Sequence, residues 1–260
     1  MSQADQKSSE LLAIILTCKS SPAARVASAR LALTSLDLPV EIKVVEGFVG
    51  EDDHVDRLYD VKSNRRWVKR PISRTEVAVY ATHRLAWEHL QDSQRQAVIV
   101  FEDDFAIRDP ETVATVIRSW KEMLGDGRDI VKLFDFEKKA KNRPVFTTEV
   151  NGVELVKWAS PSAGMVAYLI SRKGAQKFLM RERIFRQVDE DTKYFWELGL
   201  NIWSVPGNPV AEISHELGGS LVEADRQSIR ERRLMRSLWG ILLTLYRKAR
   251  TWISLFLERF

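Results

Sequence analysis

An apolar run that ends in three consecutive carboxylates constrains the fold of this chain more than any other feature. Ala97 to Phe101 is apolar, partly β-branched and too short for a helix, and Glu102, Asp103 and Asp104 follow it directly. Such a run is typical of a strand that is buried on both faces of an α/β sheet. Ligands bind at the carboxyl edge of open α/β sheets. The pattern therefore predicts that the three carboxylates lie at a binding edge.

Segments typical of strands and helices alternate along the rest of the chain. Strands are predicted at residues 11–17, 40–45, 130–134 and 163–170. Helices are predicted at residues 23–36, 77–90, 111–124 and 171–180. Ser73 and Glu76 have the spacing of a capping box before the second of these helices. The alternation predicts an α/β fold with a mixed, mostly parallel central sheet flanked by helices.

Length and composition predict a globular, cytoplasmic protein. The chain has 260 residues, 45% of them hydrophobic, which is enough to bury a sizeable core. The single Cys18 excludes an intrachain disulfide, and its position after an apolar run predicts a buried thiol. The polar residues 1–10 do not resemble a secretory signal. No run approaches the roughly 18 apolar residues that a membrane span needs.

The character of the sequence changes at about Asp225. Beyond it, apolar residues at helical spacing, among them Leu242, Leu245 and Trp252, are interleaved with arginines and lysines. A basic amphipathic helix with aromatic residues is typical of a segment that lies on an anionic membrane surface. A helix that packs on its own domain or on a partner subunit is the alternative. We predict two parts, residues 1–224 and a tail over residues 225–260.

Taken in order, segments over most of the chain resemble glycosyltransferase family 25, the lipooligosaccharide-type sugar transferases that include the collagen galactosyltransferases. The matching segments are Ile14-Ile15-Leu16 with Ser21-Pro22 and Arg25, Val44-Val45-Glu46-Gly47, Arg74 to Ala78 with Thr82-His83 and Trp87, Phe101 to Phe105, Ile130 to Leu133, Ser162 to Ala175, Val188-Asp189, and Pro209 to Ser220. The common order of these segments supports the resemblance more than any one of them. Thr75 and Ala78 stand where the family usually has glycine, which indicates a remote subfamily and leaves the sugar open.

The resemblance implies a GT-A-like domain over residues 1–224 that binds a nucleotide sugar. It implies an inverting transfer of a hexose, galactose or glucose, from a UDP-sugar. The acceptor would be a glycolipid or oligosaccharide, such as a lipopolysaccharide or lipooligosaccharide core or a related surface glycan. With the tail on an anionic membrane, the enzyme would be peripherally associated with the cytoplasmic side of the inner membrane. No nucleic-acid partner is expected.

The acidic strand end would hold a divalent metal. Hard carboxylate oxygens suit Mg²⁺ or Mn²⁺ that is shared with a substrate diphosphate. By resemblance to the Asp-x-Asp element of GT-A enzymes, Asp104 is the expected metal ligand. Glu102 would contact the ribose or a metal-bound water, also as part of the metal site, and Asp103 would support both. His215 is a candidate for completing the metal site, because late histidines do so in some GT-A enzymes.

An inverting mechanism also needs a carboxylate on the acceptor side, within about 3 Å of the attacking hydroxyl, to act as general base. Asp189 is the candidate because it matches the family's Val/Ile-Asp position. Asp191 is an alternative base or a second metal ligand. A helix start with favourable N-terminal charges is the structural alternative for either residue.

Three further residues are candidates for binding the donor. Arg25 matches the Arg-containing turn of the family, and Lys132 is positioned to meet phosphates. His83 and Trp87 are one helical turn apart and should share a helix face, and family position gives His83 a substrate contact. The charged segments 51–70 and 137–144 are candidate loops for donor closure or acceptor contact.

Two other classes of function share part of this pattern. A metal-dependent phosphoryl-transfer enzyme or nuclease would use the same acidic strand end, but the sequence has no Gly-Lys-Ser/Thr phosphate loop. A non-catalytic module that binds a sugar nucleotide or a partner is the third class. The presence of all the candidate carboxylates favours an active transferase over such a module.

Overall fold

The structure, a computed structural model, describes residues 11–136, 143–219 and 234–257, the last range with side chains from residue 239 onward. Its strands are β1 (Leu11–Cys18), β2 (Glu41–Gly47), β3 (Ala97–Glu102), β4 (Phe105–Ile107), β5 (Ile130–Lys132), β6 (Pro144–Val150), β7 (Val153–Trp158), β8 (Ala167–Ser171), β9 (Ile202–Ser204) and β10 (Val210–Glu212). Its helices are α1 (Ala23–Thr34), α2 (Asp53–Leu58), α3 (Val61–Trp67), α4 (Arg74–Asp92), α5 (Pro110–Arg118), α6 (Trp120–Met123), α7 (Arg172–Leu179), α8 (Val188–Thr192), α9 (Phe195–Leu198) and α10 (Leu234–Leu257).

Within these ranges the strands form one large sheet and a small β4–β10 ribbon. The large sheet has the order β2-β1-β3-β8-β5-β9-β7-β6. Only β7 and β8 run against the other six strands. Helices cover both of its faces, and each face carries its own apolar core. The predicted α/β class, with a mixed and mostly parallel sheet, is therefore confirmed.

The acidic strand end lies where three neighbouring strands finish together. Leu16 of β1 is opposite Glu102 of β3 on one side and Val45 of β2 on the other. Because parallel strands that share a register end at the same edge, the residues that follow β1 and β3 meet there. The carboxylates lie at the carboxyl edge of the sheet, as the sequence predicts.

Helix α4 covers the sheet face next to this edge. The predicted capping box is present, because the Ser73 side chain accepts from the Glu76 amide and Glu76 accepts from the Ser73 amide. The helix packs tightly against the end of β2: a Cβ added at Gly47 would lie 2.1 Å from Oγ1 of Thr82. Trp87, on the inner face of α4, stacks on Phe178 of α7 with ring centroids 4.4 Å apart.

Two segments are more structured than the sequence analysis predicted. The charged segment 51–70 contains α2 and α3, and Asp60 initiates α3 by accepting a 3.0 Å hydrogen bond from the Ser63 amide. Residues 144–158 form the β6–β7 hairpin, whose turn places Asn151 and Gly152 at φ of 50° and 82°. An Asn-Gly pair is the residue preference of such turns.

Two other boundaries differ from prediction. The helix predicted at 111–124 is two helices, α5 and α6, because Ser119 leaves the helical region with φ −105° and ψ 27°. The strand predicted from residue 163 begins only at Ala167 in β8, since residues 162–164 instead contact the β5 end.

The tail contains the helix α10, as predicted. Its buried residues Leu243, Thr251 and Leu255 face the domain, and the Trp239 indole donates a 2.8 Å hydrogen bond to the Arg66 carbonyl of α3. The opposite side exposes large apolar residues, among them Leu242, Leu245, Trp252 and Phe256. Among the helices in the described ranges, none has the length and hydropathy needed to cross a membrane.

Candidate active site

Asp103 anchors the acidic strand end to the neighbouring strand. Its Oδ2 accepts hydrogen bonds from the hydroxyls of Thr17, in β1, and Ser21, the latter at 2.6 Å. The Arg25 guanidinium lies 3.6 Å from its Oδ1. The carboxylate is therefore buried and fully engaged with protein groups, which fits the supporting role predicted for it.

Asp104 is partly buried beside Asp103, and one of its two carboxylate oxygens is unsatisfied. Arg25 lies 3.4 Å from Oδ2, but the buried Oδ1 has no hydrogen-bond partner among the described residues. Burial, together with the negative charges of Glu102, Asp103 and Glu212, raises the pKa of Asp104 to about 7, although Arg25 opposes the shift. The positive charge of Arg25 is thus too small to stabilise the ionised form of Asp104 fully.

Arg25 joins the acidic cluster to a distant part of the chain. Its guanidinium is buried and donates to the carbonyls of Leu217, at 3.1 Å, and Gly219, at 2.6 Å. The segment that precedes these residues also contacts the site, because the Ile213 amide donates a 2.8 Å hydrogen bond to the Asp104 carbonyl. Arg25 therefore fixes both the carboxylates and the segment that borders them.

Glu102 is the most open of the three carboxylates and is held by His83. The Nε2 of His83 lies 3.1 Å from Oε1 of Glu102, and its Nδ1 lies 2.9 Å from the Tyr168 hydroxyl. His83 and Trp87 share the inner face of α4, as predicted, with ring centroids 6.1 Å apart. The imidazole is buried and has both nitrogens engaged, so it contacts Glu102 rather than the open side of the site.

Asp189 lies in α8 with its side chain partly exposed, and no hydrogen bond to its carboxylate occurs among the described residues. Burial raises its pKa, and the charges of Lys193, Glu190, Lys132 and Glu102 also act on it. Asp189 therefore lies within electrostatic range of the acidic strand end. A carboxylate with a raised pKa and no protein partner suits a general base.

Asp191 has a different environment. It is 0% exposed, and its two oxygens lie 3.1 Å from Arg186 and 2.7 Å from Arg181. The Tyr80 hydroxyl donates to it at 2.8 Å. Both of its oxygens are engaged inside the core, where Asp191 pairs with the buried Arg186 and the partly buried Arg181.

Lys132 is also enclosed. It is 0% exposed, and its ammonium donates to Asp135 Oδ1 at 2.5 Å and to the Ser162 carbonyl at 2.8 Å. Asp135 additionally accepts a 3.1 Å hydrogen bond from the Trp158 indole. Lys132 therefore organises the end of β5 and acts on Asp189 only through its charge.

His215 borders the site but faces solvent. Its segment follows β10 next to Asp104, yet the side chain is 74% exposed and its nearest charged partner is Glu216 at 3.5 Å. Across the described ranges, no group of three or more His, Cys, Asp and Glu side chains is arranged to hold a metal ion. The structure does not bring His215 into a cluster with Glu102 and Asp104.

The residues present nevertheless fit a divalent metal that is shared with a substrate. Mg²⁺ and Mn²⁺ sites in such enzymes use one or two carboxylates, and waters and phosphate oxygens supply the other ligands. The buried Oδ1 of Asp104 has no hydrogen-bond partner among the described residues, and Glu102 lies close enough to raise the pKa of Asp104. These two side chains would hold the ion.

Several residues of the site were not predicted. Thr17 could have been found, because the parallel pairing of β1 with β3 puts it beside Asp103. Tyr168 of β8 pairs with Val100 of β3. Glu102 follows Val100 by two residues, so Tyr168 and Glu102 lie on the same face of the sheet. Nothing in the sequence near Glu212 indicates that β10 would bring its charge to Asp104.

Comparisons with known proteins place these residues in a wider context. The sequence model of glycosyltransferase family 25, described as an LPS biosynthesis protein, matches residues 28–192. This match spans more than half of the chain and includes every candidate site residue except Arg25 and His215. The comparison with curated proteins gives no match.

Solved structures with similar folds were also found. One is a glycosyltransferase involved in the glycosylation of the major capsid of PBCV-1, at 10% identity and a TM-score of 0.42, covering 83% of this chain and 98% of that chain. Another is glucosyl-3-phosphoglycerate synthase from Mycobacterium tuberculosis in complex with Mn²⁺, UDP-glucose and phosphoglyceric acid, at 16% identity and a TM-score of 0.39, covering 95% and 82%.

Proposed function

Because the chain belongs to glycosyltransferase family 25 and is therefore a glycosyltransferase, we propose that it is an inverting, metal-dependent hexosyltransferase. In this proposal it moves galactose or glucose from a UDP-sugar to a lipopolysaccharide or lipooligosaccharide core, or to a related surface glycan. One observation carries the proposal: Asp104, at the carboxyl edge of the sheet and beside two other carboxylates, has a buried oxygen that accepts no hydrogen bond from any described residue. This is the environment that a cation shared with a diphosphate would complete.

The proposed chemistry assigns one role to each side of the site. A Mn²⁺ or Mg²⁺ held by Asp104 and Glu102 would neutralise the diphosphate that leaves with the nucleotide. Asp103 and Arg25 keep Asp104 in position through their contacts at the strand end. Asp189 accepts the proton of the acceptor hydroxyl while that oxygen attacks the anomeric carbon. The bond from the anomeric carbon to the diphosphate oxygen breaks on the opposite face, which inverts the configuration.

Asp189 is a better base than Asp191 on physical grounds. A base needs a lone pair that can reach the acceptor, and a raised pKa brings its basicity closer to the working pH. Asp189 is partly exposed and has a raised pKa. Asp191 is enclosed by Arg181 and Arg186, so we leave it out of the mechanism.

The tail supports an acceptor that is attached to a lipid. In α10, Leu242, Leu245, Trp252 and Phe256 recur at helical spacing on the exposed side, and the exposed Lys248 and Arg250 border this face. An apolar face bordered by basic residues matches an anionic membrane surface. We therefore propose that residues 225–260 bind the enzyme peripherally to the cytoplasmic side of the inner membrane, and that residues 1–224 form the transferase domain.

The same helix lies near the candidate base. Arg247 of α10 lies 3.7 Å from Glu190, the neighbour of Asp189. An acceptor sugar that extends from a lipid would thus reach the site on the side where the base lies, which supports a glycolipid rather than a free sugar.

The proposal is tested by the donor and by the stereochemistry of transfer. The full chain is incubated with UDP-, GDP- and CMP-sugars, with and without Mn²⁺, and release of the corresponding nucleotide (UDP, GDP or CMP) is measured. We expect metal-dependent turnover of one UDP-hexose and, with a lipid-linked core acceptor, a β-linked product from the α-linked donor by NMR. Turnover without metal, or retention of configuration, would contradict the proposed mechanism.

A further inference from the structure

A continuous hydrogen-bonded chain of buried side chains leads from helix α4 to Glu102. The Trp87 indole Nε1 lies 3.0 Å from the Tyr168 hydroxyl, which lies 2.9 Å from His83 Nδ1. His83 Nε2 lies 3.1 Å from Glu102 Oε1. Trp87, Tyr168 and His83 are all buried, so the chain reaches the site only through Glu102.

The chemistry of these groups gives the chain one direction. The indole nitrogen of Trp87 can only donate, so Tyr168 accepts from it and keeps its own hydroxyl hydrogen for His83 Nδ1. Nε2 of His83 then carries the proton and donates to Glu102. In the opposite tautomer, the Nε2 lone pair would face the Glu102 carboxylate and the Tyr168 hydrogen would lose its acceptor. Burial also raises the pKa of Tyr168 well above its usual value, so the hydroxyl remains a donor.

Sheet geometry explains why the chain ends at Glu102. Tyr168 in β8 is opposite Val100, and Val100 and Glu102 point to the same face of β3 because side chains alternate along a strand. Helix α4 packs on this face, and His83 and Trp87, four residues apart, share its inner side. The stacking of Trp87 on Phe178 fixes the indole. Each donor is thus a buried side chain on a packed helix or strand.

We propose that Trp87, Tyr168 and His83 are positioning residues that hold one oxygen of Glu102 through the Nε2–H of His83 and leave its other oxygen directed toward the donor and its metal. None of the three touches substrate in this account. The inference deepens the proposed function, on which it rests for the role of Glu102, and it replaces the substrate contact expected for His83. Partners of this kind, which orient a ligand without binding the metal, commonly affect affinity or activity by about ten- to a hundredfold.

The direction of the chain is tested by NMR without any substrate. The chain contains four histidines, so ¹⁵N-histidine labelling gives a simple spectrum in which His83→Gln identifies the His83 signals. We expect His83 to be a single tautomer with Nε2 protonated. Tyr168→Phe should shift these signals or mix the tautomers. A Nδ1-protonated His83, or an unchanged His83 spectrum in Tyr168→Phe, would overturn the proposal.

A matched control separates this effect from the loss of any buried hydroxyl. Tyr80 is also fully buried, and its hydroxyl contacts Asp191 rather than His83 or Glu102. Tyr80→Phe should therefore leave the His83 signals in place, and its melting temperature measures the structural cost of the same change. An equal shift of the His83 signals in both variants would indicate a general loosening of the core and would overturn the proposal.

A kinetic measurement tests the consequence for the donor site. With the UDP-hexose that the parent turns over, Tyr168→Phe should lower kcat/KM of Mn²⁺-dependent UDP release at least tenfold more than Tyr80→Phe. His83→Gln, whose amide can still donate to Glu102, should retain more activity than His83→Leu. Equal losses within either pair would overturn the proposal. If the parent turns over no UDP-hexose, the proposed function fails. The NMR result still shows whether the hydrogen bonds from Trp87 to Glu102 run in the proposed direction.

Discussion

The guanidinium of Arg25 lies 3.4 Å from one oxygen of Asp104, while the other oxygen of that carboxylate is buried without a hydrogen-bond partner among the described residues. The single cation is shared with Asp103, 3.6 Å away, and with the carbonyls of Leu217 and Gly219. One arginine therefore serves two carboxylates and cannot balance both. The remaining negative charge is what a divalent cation would neutralise.

This imbalance predicts a pH-dependent cost in the metal-free protein. The pKa of Asp104 is raised from 3.8 to about 7, so between these values the folded protein binds a proton that the unfolded chain has lost. Stability contributed at this site therefore falls as pH rises through this window. Asp104→Asn removes the cost and should raise the free energy of unfolding relative to the parent at pH 8, by about 1.4 kcal/mol for each pKa unit, but not at pH 4.

Urea unfolding in EDTA at the two pH values measures this difference. Addition of Mn²⁺ at pH 8 should stabilise the parent and not the variant, because binding to the folded state shifts the equilibrium. The same stability difference between variant and parent at pH 4 and pH 8 would show that Asp104 is not the titrating group.

Asp189→Asn should abolish transfer while donor binding survives. The amide cannot accept the proton of the acceptor hydroxyl, so kcat for transfer should fall about a hundredfold to ten-thousandfold. The KM for the donor should change little, because the role proposed for Asp189 is on the acceptor side. Glu190→Gln is the matched control, since Glu190 is the neighbouring carboxylate and pairs with Lys193 and Arg247. A comparable loss in both variants would remove Asp189 from the base role.

Asp191→Asn should destabilise the protein. The change removes the fully buried charge that Arg181 and Arg186 share, and it leaves the partly exposed Glu197 as their remaining carboxylate. Breaking such a pair on one side costs about 3–5 kcal/mol, which thermal or urea unfolding would detect. A stable Asp191→Asn protein that has lost transfer would instead return Asp191 to the mechanism as a base.

The exposed face of α10 should control membrane binding. Leu245 is 57% and Trp252 67% exposed, so Leu245→Glu and Trp252→Glu place charge on the proposed membrane face without disturbing the core. Both should lose binding to anionic liposomes in a sedimentation assay and keep donor hydrolysis. Leu31→Glu makes the same change at a 71% exposed leucine of α1 and should bind normally.

Point substitutions are preferable to removal of the tail. Leu255 of α10 is buried in the core that also contains Trp87, so truncation would expose apolar surface of the domain and confuse membrane binding with unfolding. Liposome binding that survives in Leu245→Glu and Trp252→Glu would mean that the exposed face meets something other than a membrane.

The sequence predicted those features of the fold that depend on local patterns. The apolar run before Glu102 predicted the strand β3, and the spacing of Ser73 and Glu76 predicted the start of α4. Both signals, burial on two faces and helix capping, are contained within a few consecutive residues. The β6–β7 hairpin was missed although Asn151-Gly152 indicates its turn. No structure was predicted from the sequence for residues 145–158, and residues 137–142 of the candidate loop at 137–144 lie outside the described residues.

The site was predicted only in part because its remaining contacts are long-range. The apolar run before Glu102 predicts a buried strand that ends in carboxylates. The contact of His83 with Glu102 depends instead on how α4 lies across the sheet. The full enclosure of Lys132 and Asp191 likewise depends on tertiary packing, which no spacing in the sequence reveals. Residue type alone could not separate a partly exposed carboxylate such as Asp189 from the fully buried Asp191, which pairs with two arginines.

The proposed role of Asp104 in holding the metal ion is tested most directly by a comparison of Asp104→Asn with Asp109→Asn. The measurement is Mn²⁺-dependent UDP release from the UDP-hexose that the parent turns over. Asp109 is an exposed helix-capping aspartate five residues along the chain, and asparagine preserves the cap. We expect Asp104→Asn to lose metal-dependent release and Asp109→Asn to match the parent. Metal-dependent release that survives in Asp104→Asn would contradict the proposed role.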